Sequence, residues 1–167
     1  MAYQYACVLL AVALIAAPAL SHPVGAPLEA CTDMMPHHLA EPQKLAAPYK
    51  ILLNKERAVS GESVTVTIQG NTPQDTIKGL LCQARVDETA VGSFDIPSSD
   101  DYVQTLDCGN VKMSAVTHKR ITTAPNSISF DWVVPDGLTE NVKMTCTIVQ
   151  SLRVFWVKVK ADNLKVN

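Results

Sequence analysis

The sequence predicts an all-β chain: an immunoglobulin-like antiparallel β-sandwich of about seven to nine strands carrying an extended proline-rich N-terminal arm. Apolar and polar residues alternate with period two in several runs, turn residues separate those runs, and no amphipathic helical period persuades anywhere.

The elements follow in order. Met1 to Ser21 holds an apolar run from Ala6 to Ala17 and no charged residue, which predicts a secretory signal peptide cleaved to leave His22 at the new terminus. The run is too short for a membrane span, so a soluble secreted product is expected, in circulating body fluid. Residues 22–167 then form one domain, in which the arm spans 22–48 and packs on the sandwich. Five prolines between His22 and Pro48 argue against a regular helix or a central strand there.

Beyond the arm the strands begin. In "SVTVTIQG" Val64, Val66 and Ile68 share one face and Thr65 and Thr67 the other. "NSISFDWVVP" puts Ile128, Phe130, Trp132 and Val134 together, and "NVKMTCTIVQ" does the same for Val142, Met144, Cys146 and Ile148. "RVFWVKVKAD" points Phe155, Val157 and Val159 inward by the same parity, leaving Trp156, Lys158 and Lys160 outside. "YKILLN" and "DYVQTLD" are weaker strands. Turn signals lie at Ser60-Gly61, Asn71 to Pro73, Ile96 to Asp101, Ala124 to Asn126 and Pro135 to Gly137.

Cys7 leaves with the signal, and four cysteines in a secreted chain imply two disulfides. Cys82, in "IKGLLCQARVD", shares a face with Leu80 and Ala84, and Cys146 shares one with Met144 and Ile148, so both sulfurs point inward. They are expected to meet across the sandwich, which leaves Cys31 to Cys108 in the loops. Arg85 projects from the opposite face with Gln83, where a carboxylate could pair with it.

A net charge of −2 argues against bulk nucleic-acid binding. No Cys-x-x-Cys, His-Glu-x-x-His, Gly-x-Ser-x-Gly or phosphate-cradling glycine loop is present, so no catalytic residue, metal or cofactor is assigned. Two metal sites are conceivable from the residues, each with a simpler structural alternative. His22 as a terminal residue could hold copper with His118, His37 or His38, as in copper-dependent polysaccharide-oxidising enzymes. "CTDMMPHH" offers copper(I) donors, but Cys31 is needed for a disulfide and methionines commonly fill packing gaps. His118 as a general base is weaker than His118 as a structural residue. The cations fall in two groups, Lys119 with Arg120 and Lys158 with Lys160 beside Trp156. Together they are the candidate surface for phosphates and sugars of a microbial glycolipid or polysaccharide. The bland alternative is a solvated strand edge guarded by lysines.

Taken in order, Gly25-Ala26-Pro27, Cys31, Met35-Pro36-His37, Pro48-Tyr49, Gly61, "KGLLCQAR", Gly92 with Phe94, Cys108, "VTHK", "ISFDWVVP" and "TIVQSLRVFWV" resemble a reeler domain, the module at the N-terminus of reelin and F-spondin. Within that family the chain is most similar to small secreted insect defence proteins made of one such domain. The resemblance implies an immunoglobulin-like sandwich, a non-catalytic role in innate immunity, and binding to bacterial or fungal surface components and to blood cells during nodule formation. Vertebrate relatives usually have an aliphatic residue at Cys82, so their disulfide pattern does not transfer. A matrix or structural role is the remaining alternative class.

Overall fold

The computed structural model describes residues 24–167; the expected signal peptide and His22 lie outside them. Two sheets face each other. One has four strands in the order β1 (Tyr49–Leu53), β3 (Ser63–Gly70), β9 (Ser127–Val133), β6 (Ser93–Asp95). The other runs β2 (Arg57–Ala58), β11 (Val154–Val166), β10 (Asn141–Ser151), β4 (Gly79–Val86), β8 (Val111–His118), β7 (Val103–Cys108), with β5 (Thr89–Ala90) paired to β4. Every pairing is antiparallel except β2 with β11. Of these eleven segments, eight have five or more residues, and the others are short edge pieces.

Period two explains the inner faces. Val64, Val66 and Ile68 of β3 stand opposite Trp132, Phe130 and Ile128 of β9, and all six are buried. They pack against Leu80, Cys82 and Ala84 of β4 and Met144, Cys146 and Ile148 of β10 in one core. Trp132 donates its indole N–H to the Val91 carbonyl at 3.0 Å. Gly92 beside it has φ +69°, and a Cβ there would stand 2.5 Å from the Trp132 nitrogen, so only glycine fits.

Cys82 is bonded to Cys146, but not across the sandwich. β4 and β10 are neighbours in one sheet, and the two residues are direct cross-strand partners with Cα atoms 4.2 Å apart. That separation suits a non-hydrogen-bonded antiparallel pair. Parity put both sulfurs on the inner face without saying which strands were adjacent. Cys31 is bonded to Cys108, with 77 positions separating them. On the chain-entropy account a crosslink over such a loop contributes about 4 kcal/mol.

The last strand overturns its sequence parity. Trp156 is inward, opposite Ile148, and packs edge-on to Tyr49 with ring centroids 5.5 Å apart; its indole N–H donates to the Leu45 carbonyl at 3.1 Å. Phe155 turns instead to the outer face, where His38 meets it edge-on at 5.2 Å. The register slips between Cys146 and Ile148, with Lys158 at φ 55° on the opposing strand. One extra residue there lets Trp156 and Val159 both face the core, which strict alternation forbids.

The outer face of the wide sheet is also covered. Residues along the N-terminal segment contact β8, β4, β10 and β11 in turn. The Ala26 N–H donates to Thr117 Oγ1, Arg85 reaches the carbonyls of Cys31 and Thr32, Thr147 donates to the Met34 carbonyl, and the Gln43 N–H donates to the Phe155 carbonyl. The segment does contain helix, contrary to the proline argument: one turn, α1 (Ala30–Asp33), fits between Pro27 and Pro36. Ala30 and Met34 pack with Leu81, Ala115 and Cys108 in a second, smaller core.

Arg85 ties the two layers. It is 3% exposed, so its opposite-face position is not a solvent position. Its guanidinium donates to Gln83 Oε1 at 2.8 Å, Glu88 Oε2 at 2.9 Å, and the Cys31 and Thr32 carbonyls at 2.9 and 3.1 Å. Burial pulls the guanidinium below its ordinary value and Glu88 opposes that. Lys158, first by its hydrogen bond, and then Arg85 hold the Glu88 carboxyl below the usual range.

Two predictions follow from this packing. Arg85→Ala strands two carbonyls and Gln83, and is expected to lower stability by about 2–4 kcal/mol in urea titration. Amide exchange should rise first around Met34, whereas Glu88→Gln should leave the unfolding midpoint nearly unchanged. Burial, with the Asp75 carboxylate adding to it, pushes the Tyr49 phenol from 10.0 up to about 12. The folded state thus favours the protonated ring: this contribution is complete below pH 10 and is lost as pH rises through about 12. Ultraviolet titration should show a tyrosinate step near pH 12 that Tyr49→Phe removes.

Candidate ligand-binding cleft

The N-terminal segment does not seal the sheet completely. A cleft of about 230 Å³ remains between them. Ala26, Pro27, Ala30, Met34, Met35 and Pro36 form its segment side. Gly79, Leu81, Thr147 and Val149 form the sheet side, and Ile121 and Leu152 stand at its end. Leu81 lies here because odd positions of β4 face outward while Leu80, Cys82 and Ala84 face the main core. Gly79 leaves the floor open: a Cβ there would come within 3.3 Å of the Val149 Cβ and 3.4 Å of His118 Cε1.

Three polar side chains at or behind the wall are engaged, and His38, which also lines the cleft, packs its ring on Phe155. Thr147 donates to the Met34 carbonyl at 2.7 Å. Thr117, behind the wall, accepts from the Ala26 N–H at 2.7 Å and donates to the Leu80 carbonyl at 3.1 Å. His118 Nδ1 accepts from the Leu80 N–H at 3.3 Å, a structural role. Lys78 and Arg120, both exposed, line the rim. The β4–β8 register pairs Leu81 with Thr117, and continued past the strand ends it sets Lys78 opposite Arg120. Among the described residues no carboxylate pairs with either.

The five residues proposed from sequence as a binding surface do not form one. Arg120 is on the rim, but Lys119 beside it donates its ammonium to the Ser98 and Asp100 carbonyls. Trp156 is only 9% exposed and offers no stacking face, because the bulge turned it inward. Lys158 is held by Glu88 at 3.0 Å. Lys160 lines a separate depression with Lys143, Asp87 and Glu88. β8 and β11 are three steps apart in the sheet, roughly 14 Å at ordinary strand spacing. Lys78, a rim residue, was missed because its cross-strand partner depends on strand order.

The metal readings gain no geometry. Among the described residues no three His, Cys, Asp or Glu side chains gather as they would around a metal ion. His37 lies 3.6 Å from Asp33 at the surface, and His38 packs on Phe155. No helix of the described residues is long and apolar enough to cross a membrane.

The fold and its residues match known proteins closely. A family model described as the Reeler domain matches residues 29–167. "Putative defense protein 1" of Antheraea mylitta is 39% identical, covering 93% of this chain and 94% of its own. "Putative defense protein" of Bombyx mori is 37% identical over 97% of both chains. Among solved structures, the human F-spondin reeler domain aligns with a TM-score of 0.60 at 19% identity, covering 77% of this chain and 94% of its own, which speaks for the fold alone. The matched family model, the ordered motifs and the two-sheet architecture together place this chain in the reeler-domain family, beside insect proteins named for defence.

Proposed function

We propose that the chain is a secreted, non-catalytic protein of innate immunity that binds bacterial or fungal surface components and helps blood cells gather on them. Similarity over nearly the full length to insect proteins named for defence supports the defence role. One observation carries the binding mode: two exposed cations, Lys78 and Arg120, line the rim of one open apolar cleft with no carboxylate partner among the described residues. Microbial envelopes present phosphate and carboxylate groups at high density, and paired cations meet them with charge-assisted hydrogen bonds.

Purified protein should sediment with bacteria at low salt and detach as ionic strength rises, because exposed charges are screened within about 8 Å at physiological salt. Lys78→Glu with Arg120→Glu should weaken this binding by roughly tenfold or more. Lys158→Glu with Lys160→Glu should leave it nearly intact, since Lys158 is already neutralised by Glu88. The opposite ranking of the two double variants would transfer the site to the depression around Lys160.

A further inference from the structure

We propose that the cleft seats one fatty acyl chain of an anionic amphiphile, whose phosphate or carboxylate head is held at the mouth between Lys78 and Arg120. This rests on the binding role proposed above and names the chemistry of its ligand.

The cleft itself selects an apolar occupant. Its polar wall atom on Thr147 is spent on the Met34 carbonyl, and Thr117 behind it on Ala26 and Leu80. His118 is engaged with Leu80. A sugar ring entering here would find too few partners along the Met35, Pro36, Ile121 and Val149 wall for its hydroxyls, and each one left unpaired is costly. A methylene chain loses nothing of that kind and gains the contact of Met35, Ile121 and Val149, with buried Met34 and Leu81 directly behind them. The thioether side chains adapt to a flexible guest better than branched ones do.

Size narrows the occupant further. At about 230 Å³ the cleft falls below the range of roughly 300–1,000 Å³ typical for drug-sized ligands, so it suits a single chain and not a multi-chain lipid entire. Its mouth supplies the charge. Lys78 and Arg120 both line the cleft and are exposed, just beyond the ends of β4 and β8. An amphiphile with its head between them and its chain under the N-terminal segment satisfies both features at once.

The test uses the whole mature protein, with methionine methyl groups labelled by carbon-13, and dodecyl phosphate as the probe below its micelle concentration. Methyl resonances of Met34 and Met35 should shift, while Met113 on the exposed β7–β8 hairpin and Met144 in the main core should not. Shortening the probe to decyl, octyl and hexyl phosphate should weaken binding by roughly fourfold per methylene. A neutral dodecyl maltoside should bind less tightly, and inorganic phosphate should leave both cleft methyls unmoved. Ala26→Phe, which fills the cleft without touching the rim, should abolish the shifts. If that variant does not fold, the surface change Lys78→Glu with Arg120→Glu should erase the preference for dodecyl phosphate over dodecyl maltoside.

Equal shifts with inorganic phosphate, affinity independent of chain length, or shifts at Met113 as large as at Met34 would each overturn the proposal. Failure to sediment with bacteria alongside intact dodecyl phosphate shifts would remove the microbial role and leave the acyl site standing. Sedimentation that survives Ala26→Phe would do the reverse.

Discussion

The fold depends on the burial of β4 on both faces. Every residue from Gly79 to Arg85 in this central strand of the wide sheet is buried. The four-stranded sheet covers only one side, so a second layer must be found for the other. The N-terminal segment is that layer, and the cost of burying its backbone and the polar residues beneath it governs how it lies. Gln83, Arg85, Thr145 and Thr147 are all buried on or around this face. A buried polar group left unpaired costs about 1–3 kcal/mol, so each must find a partner in the covering chain or its neighbours. Arg85 does so four times over, and two of those partners are carbonyls of the single helical turn. The guanidinium fork replaces the backbone ladder that a regular element would have supplied.

The two disulfides serve the two layers separately. Cys82–Cys146 lies within the main core, between adjacent strands that already share a ladder, and adds a covalent tie to packing that exists without it. Cys31–Cys108 joins the helical turn to the end of β7, at the far edge of the sheet from β11. Together with Arg85 it fixes the turn at two points across the sheet, β4 and β7, while Thr147 holds Met34 to β10. The segment is thus tied at three strands, and the space above Gly79 is shaped by those same ties.

Legibility in the sequence followed the number of layers. Where one face is buried and the other is wet, as in β3 and β9, period two was sufficient and the inner residues were named correctly. The signal fails where both faces are buried, since Arg85 and Thr147 look like surface residues until something covers them. It fails again at a bulge. Nothing in "RVFWVKVKAD" marks Lys158 as the extra residue, yet that one insertion decides that Trp156 joins the main core while Phe155 is buried on the other side of the sheet. A parity argument also cannot say which strands are neighbours, which is why the inward positions of Cys82 and Cys146 were legible and their place in one sheet was not. Lys78 and Arg120 were hidden for the same reason: they are 42 positions apart in the chain and become counterparts only through the β4–β8 register.

The physical independence of the rim from the core has a consequence for how such a domain can diversify. Lys78 and Arg120 lie just outside strand ends, where side chains carry no packing, whereas the cleft walls are set by Met34, Leu81 and Val149, which do. Changing the charge of the rim alters which head group is attracted at little cost in stability, because surface substitutions away from buried partners usually move it by less than about 0.5 kcal/mol. Changing the walls disturbs the second core and with it the cover over β4. Ligand charge can therefore vary within this architecture more readily than ligand shape. Because the walls are held by a disulfide and a buried guanidinium, the cleft is ordered before any ligand arrives, and association spends little free energy on arranging it.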